Sequence, residues 1–305
     1  MNSIIKLITG ICVVLSVICT THIANAQNVD TAKKFKFCSG MPGGNYEFTA
    51  IALERQLPGH ITIVHTKGSL ENMSLVDSGD CEVAIVQSDA YFMYIRQHPT
   101  AAIHVERSRD MYPEFGHLIC NSSIKNISEL TARSTVLVGP PGSGSSVMWD
   151  AIVTANPAKY KDVQTLPLGG TRALSKITDG TEAQCMLFVS GLRSEIMQAA
   201  NVMAINTKGN LRLTPMNDAT LFEIKDAKGR PVYTQSKIPD GTYPNGLQAT
   251  GWLSSGKSVD TVQVESIAID NLPWADANSD DINLVLTGLN KAIPMINDHM
   301  HPQQN

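Results

Sequence analysis

Residues 139–146 read Gly-Pro-Pro-Gly-Ser-Gly-Ser-Ser, between an apolar run (Val136, Leu137, Val138) and residues at helical spacing (Val147, Met148, Trp149, Ala151, Ile152). A strand that turns through such a loop into a helix aims several unpaired backbone N–H groups at one point, and the helix dipole adds partial positive charge there. The chemistry on offer is anion binding by Gly142, Ser143, Gly144 and Ser145. The loop departs from the nucleotide pattern G-x-x-x-x-G-K-[ST] only at Ser145, where a lysine is needed to reach the β- and γ-phosphates. A nucleotide is therefore disfavoured.

Similar junctions recur. Gly43 and Gly44 follow the short strand Phe35-Lys36-Phe37-Cys38 and lead through Asn45 and Tyr46 into a helical stripe. Lys67-Gly68-Ser69 joins a strand at 61–65 to a helix at 70–77 that carries Asn72. The buried-type run Val83-Ala84-Ile85-Val86 ends in Gln87, Ser88 and Asp89, and polar residues at the end of such a strand occupy the usual ligand position of open α/β sheets. Ser190 closes another such strand, and Arg172 follows Gly169-Gly170. Lys67 or Arg172 would add full positive charge. Plainer roles compete: Ser69 as an N-cap, Tyr46 as a core aromatic, Arg172 as a solvated helix residue. Glu47, beside the first loop, would repel an anion or hold an ammonium group.

Catalysis has little support. Ser143 is not in G-x-S-x-G, and no His and acid are ordered around it. His65, at a strand end, reads as a packed or surface histidine. The His299-x-His301 tail offers two metal ligands without a third, and no C-x-x-C is present. No cofactor, metal or catalytic residue is expected.

The elements that must position these residues alternate strand and helix three times within about ninety residues, which predicts a mainly parallel sheet covered by helices. The plan repeats with strands at 115–120, 136–138, 163–168 and 184–189 and a helix at 172–178. Short strands are expected at 201–206 and 211–215, a longer one at 261–270 and a helix at 281–293. Two similar sheets imply two lobes facing one cleft.

Residues 1–26 combine Lys6, an apolar run of about a dozen residues and Ala24-Asn25-Ala26, the pattern of a cleaved secretory signal too short to span a bilayer. The remaining 279 of 305 residues carry a formal charge of −5, with both signs scattered. No basic patch with interleaved aromatics is present, so nucleic acid is not an expected partner. Four cysteines remain: Cys38, Cys81, Cys120 and Cys185. They allow three complete disulfide pairings in an oxidising compartment, and each is equally placed to be a buried thiol.

Five stretches together carry a family resemblance. They are Gly43-Gly44-Asn45-Tyr46; Lys67-Gly68-Ser69-Leu70-Glu71-Asn72; Val86-Gln87-Ser88-Asp89; Val138-Gly139-Pro140-Pro141-Gly142-Ser143-Gly144-Ser145; and Ile238-Pro239-Asp240-Gly241-Thr242-Tyr243-Pro244. In this order the chain resembles the TAXI group of TRAP-transporter solute receptors. The resemblance implies an α/β, two-lobed type II periplasmic binding protein fold, with lobe I from 27–118 and 258–305 and lobe II from 119–257. It implies a periplasmic receptor, without enzymatic activity, that takes a small carboxylate or a glutamate- or glutamine-like amino acid to a membrane-embedded TRAP permease. A ligand sensor, a surface antigen or, further off, a serine hydrolase are the alternatives. The chain departs from the pattern at Glu47-Phe48-Thr49-Ala50, Leu192 and Asn245-Gly246.

Overall fold

Residues 34–226, 228–249 and 257–300 are described by the structure, a computed structural model. The expected leader at 1–26 and His301 lie outside the described residues.

β1 (Phe35–Cys38) leads into α1 (Asn45–Gln56), β2 (Ile61–Val64), α2 (Ser69–Asp77) and β3 (Val83–Gln87). β1 lies parallel between β2 and β3, as helical crossovers require. All five residues of β3 are buried, the reason for its unbroken apolar run. α3 (Ser88–Gln97) follows directly, then the long strand β4 (Val105–Asn121). The second half runs β5 (Thr135–Leu137), α4 (Gly144–Ala155), α5 (Pro157–Tyr160), β6 (Gln164–Leu166), α6 (Gly170–Ile177), β7 (Cys185–Ser190), α7 (Glu195–Asn206), β8 (Leu211–Leu213) and β9 (Thr234–Ile238). β5 lies parallel between β6 and β7. β10 (Val259–Asn271), α8 (Leu272–Ala277) and α9 (Ser279–Met300) close the chain.

The expected pair of separate sheets is instead one hydrogen-bonded path, β2-β1-β3-β10-β4-β7-β5-β6. The antiparallel pair β4 and β10 joins the two parallel flanks. Two apolar clusters draw on residues up to Tyr112 and from Ile267 onward. Two others draw on residues from Phe115 to Val264. Both long strands thus change core near Pro113–Glu114 and Glu265–Ser266, where their register also shifts, between Glu265 and Ile267. Pro113 donates no backbone hydrogen bond, and a bulge bends the strand that carries it. A waist forms at Glu114.

Three readings need correction. Residues 201–206 end a helix, α7: Ser194 caps it through Met197 N, and Met197, Ala200 and Ala204 bury one face at helical spacing. Ser88 and Asp89 open α3, so they are helix-start residues and not a strand end. β4 begins ten residues before Phe115, because polar Glu106-Arg107-Ser108-Arg109-Asp110 hides a strand whose pairing with β10 supplies its backbone partners. α9 packs on α1 so closely that a Cβ at Gly288 would come within 2.7 Å of Leu53 Cδ1. The four cysteines form two disulfides, Cys38–Cys81 and Cys120–Cys185.

Candidate functional site

The waist carries a cavity of about 90 Å³ lined from both halves of the sheet. A single water needs roughly 10–15 Å³, so the cavity has room for more than one and suits a small solute. Four helix starts reach it: Gly44-Asn45 of α1, Gly68 before α2, Ser143-Gly144-Ser145 of α4 and Gly169-Gly170 of α6. Each presents N–H groups that have no partner within their own helix. β7 and α7 add an apolar wall through Met186, Phe188 and Ile196, with Ser190 at its edge.

Of the expected residues, Gly44, Asn45, Tyr46, Lys67, Gly68, Gln87, Ser143, Gly144, Ser145 and Ser190 line the cavity. Several of them are already engaged. Ser143 caps α4 through Ser146 N, Ser145 Oγ accepts from Val189 N at 3.0 Å, and Ser190 Oγ donates to Gly191 O at 2.9 Å. Two buried amides are not. Asn45, 5 % exposed, has no partner for Oδ1 or Nδ2, and Gln87, 1 % exposed, has none for Oε1. Buried polar atoms are nearly always hydrogen-bonded, so these three atoms mark where the cavity offers hydrogen bonds that the protein itself leaves unmade.

Seven expected residues fall outside the lining. Gly43 sits at φ +77° in the turn before α1, and its N–H donates to Glu47 Oε2 at 2.7 Å. Ser69 Oγ accepts from Gln87 N at 3.1 Å and lies 3.2 Å from Tyr46 Oη, behind the wall. Asn72 is an internal brace: Nδ2 donates to Ser39 O and Ile85 O, and Oδ1 accepts from Thr66 Oγ1 at 2.6 Å. Ser88 faces a separate groove. Asp89 Oδ2 accepts from Tyr233 Oη at 2.6 Å, a buried bond between the two halves; burial raises its pKa to about 6. Gly142 O accepts from Leu70 N at 3.1 Å, joining the α4 loop to α2. Arg172 is exposed on α6, so among the described residues the only lining cation is Lys67, itself exposed. Glu47 also stays outside. As the third residue of α1 it reaches back to Gly43 N and pairs with His65, just as Glu71 reaches back to Lys67 N before α2.

The residue that sequence reasoning missed is Glu114. It is 2 % exposed, lines the cavity, and accepts from Tyr46 Oη at 3.1 Å. Burial raises its pKa to about 8, against the opposing pull of hydrogen bonds from Gln87 and Tyr46, with Asp89 and Glu265 adding to the rise. Tyr46 is held protonated by burial and by the Glu114 carboxyl. A lone acid at the start of an apolar run, Glu114 before Phe115-Gly116-His117-Leu118, was the available signal; Pro113 disguised it as a strand boundary.

The raised pKa has a consequence for stability. A carboxyl at 4.5 in the unfolded chain and about 8 in the folded one contributes stability fully present below 4.5 and lost as pH rises through 8. At about 1.4 kcal/mol per unit, the loss is on the order of 5 kcal/mol. Solute-free protein should show a falling urea midpoint from pH 5 to 8, and Glu114→Gln should remove most of that fall. An identical slope in the variant would contradict the burial of an ionisable Glu114.

Among the described residues, no three His, Cys, Asp or Glu side chains come together as a metal site. No helix among them is long and apolar enough to cross a membrane.

Comparison with known proteins places this geometry in a family. Among solved structures, a conserved Candida albicans gene product, described as having the generic periplasmic binding protein fold, is similar at TM-score 0.51 and 14 % identity, over 87 % of this chain and 72 % of that one. The ligand-binding component of an ABC-type import system from Staphylococcus aureus, solved with zinc bound, is similar at TM-score 0.53 and 8 % identity, over 90 % of this chain and 80 % of that one. At such identities the likeness is one of fold. No curated protein matches the chain. The model of the NMT1-like family matches residues 47–250, a span from α1 through β9 that includes Glu114 and most of the cavity lining. The fold is that of periplasmic binding proteins, and the chain belongs to the NMT1-like family.

Proposed function

We propose that the protein is a periplasmic solute receptor that takes a small carboxylate or amino acid into the cleft and hands it unchanged to a membrane permease of the TRAP type, as the TAXI resemblance implies. Segments 27–118 and 258–305 would form one lobe and 119–257 the other; the change of apolar core along β4 and β10 supports two lobes and moves the crossing points to Pro113–Glu114 and Glu265–Ser266. The observation that carries the reading is the convergence of four helix starts on one small cavity containing unpartnered Asn45 and Gln87. Hydrogen bonds to a charged group contribute roughly 1.5–3 kcal/mol each, so three or four such donors offset the desolvation of one carboxylate without an arginine. The Staphylococcus aureus neighbour, a ligand-binding component of an import system, has the same fold put to a similar use.

The test is native mass spectrometry of freshly purified protein, followed by a thermal-shift screen of amino acids and small mono- and dicarboxylates. A true solute at a thousandfold excess over its Kd stabilises the native state by about 4 kcal/mol. At about 2 °C or more per kcal/mol for a chain of this size, the melting temperature should rise by roughly 8 °C. No bound mass and no shift across the screen would overturn the reading.

A further inference from the structure

The carboxyl at the waist adds no positive charge to a cavity that otherwise favours an anion. Four helix starts, two from each half of the sheet, reach the cavity and favour negative charge, while Glu114, on the strand between the halves, is an acid buried among groups that cannot compensate its ionisation. Tyr46 and Ser69 offer neutral hydroxyls, and Gln87 and Asn45 neutral amides. Every further ionisable group facing it is acidic or phenolic. Asp89 at the start of α3 and Glu265 on β10 both disfavour its charge, and Tyr112 on its own strand lies near enough to feel it. Glu47 is occupied by Gly43 N and His65, and Glu195 of α7 lies against Gly43. Lys67 lines the cavity but is exposed. Among the described residues nothing neutralises a Glu114 carboxylate; a solute can.

We infer that Glu114 is the ammonium-recognising residue of the cleft, so that the solute is a zwitterion, its carboxylate on the helix starts and its protonated amine on Glu114. This rests on the solute-receptor reading and narrows it. Gln87 links the two poles: its amide hydrogen-bonds Glu114 on one side and meets the first residue of α4, Gly144, on the other. The unpartnered Gln87 Oε1 and Asn45 Oδ1 are acceptors for the remaining ammonium protons, and Asn45 Nδ2 is a donor for the carboxylate. Binding then breaks the carboxyl O–H bond of Glu114. The ammonium keeps its own protons, the Glu114 proton passes to solvent buffer, and a neutral acid becomes a carboxylate paired with a cation. The buried charge is created only when its partner arrives.

The experiment is titration calorimetry of L-alanine and L-glutamate against their deaminated counterparts, propionate and glutarate, at pH 7 in phosphate and in Tris. Those buffers differ in ionisation enthalpy, so the pair of titrations counts protons. With Glu114 titrating at about 8, nearly one proton should leave per amino acid bound. Affinity should rise about tenfold from pH 6 to 7 and level off above 8, because only the ionised acid holds the ammonium. Glu114→Gln should abolish the proton release, flatten the pH profile and weaken amino-acid binding at least a hundredfold, with circular dichroism reporting that it folds. The wild-type proton count stands even if that variant does not. Amino-acid binding without proton release, or deaminated counterparts that bind as well as the amino acids, would overturn the inference while leaving the receptor intact. Carboxylates that bind best below pH 8 and weaken above it would do the same, since they would use Glu114 as a hydrogen-bond donor. Binding by neither set would overturn the receptor reading and the inference with it.

Discussion

Gly144→Arg is expected to abolish solute binding, by at least a hundredfold in Kd, while leaving the fold intact. Gly144 is the first residue of α4, after the extended N-cap Ser143, and it has no positive φ that would strain a side chain. A Cβ there would already overlap Oε1, Cδ and Nε2 of Gln87, the amide that lines the cavity with an unpartnered oxygen. A longer side chain cannot turn back into α4, whose buried Val147 and Met148 fill that space, and so enters the cavity. In a cavity of about 90 Å³ an arginine side chain and a solute would compete for the same space. Its guanidinium would also meet Glu114 and ionise it, pairing the acid internally in the place a solute would take. Stability should change by no more than about 1 kcal/mol, since arginine has higher helix propensity than glycine and the displaced Gln87 is a flexible side chain. Calorimetry and a urea melt on the same preparation separate the two effects. Unchanged affinity in a folded variant would remove α4 from the site, and an unfolded variant would show that Gly144 packs the waist. Gly144→Ala tests the same geometry more gently: it moves Gln87 without filling the cavity, and about tenfold weaker binding is expected.

How much of this was legible in the residues depends on how local each signal is. The loop 139–146 could be read because strand, Gly/Ser turn and helix lie within sixteen residues, and backbone geometry follows from such a local pattern. Gly44, Gly68 and Gln87 came into view in the same way, each at the end of its own strand. What stayed hidden is nonlocal. Asn72 and Gln87 are both buried amides near helix starts, yet one is saturated by the carbonyls of Ser39, just after β1, and of Ile85 in β3, and the other faces the cavity, a difference set only by which segments pack against them. Arg172 and Ser145 both sit in the first turn of a helix beside glycines, and helix rotation alone sends the first to solvent and the second inward. Glu114 depends on still more distant events. Its role arises because β10, about 150 residues later, pairs with β4 through a shifted register and carries the chain between cores at that point. Asp89 meets Tyr233 for the same reason, and nothing near either residue announces the bond.

The disulfides illustrate the same limit and carry the second large expected effect: removing Cys120–Cys185, as Cys120→Ala with Cys185→Ala, should cost about 3–4 kcal/mol. Composition left three pairings open. Sheet order closes them, because Cys120 and Cys185 are direct cross-strand partners in β4 and β7, and Cys38 ends β1 beside β3, which Cys81 precedes. The sequence separations are 65 and 43 residues. In the chain-entropy model each cross-link removes about 4 kcal/mol of unfolded-state freedom, and the logarithmic dependence on loop length makes the two nearly equal. They stabilise different halves, and mutations far apart with no shared partner are close to additive. Full reduction should therefore cost on the order of 7 kcal/mol, comparable to the whole stability of many domains. Urea midpoints for the native protein, each double variant and the fully reduced chain, with free thiols counted in every sample, provide the measurement. A reduced chain that keeps the native midpoint would contradict the cross-linked account. The outcome also bears on location: a chain that needs both disulfides to stay folded must mature where thiols are oxidised, beyond the cytosol. That is the compartment expected from the pattern at 1–26, and the one in which the proposed receptor would meet its solute.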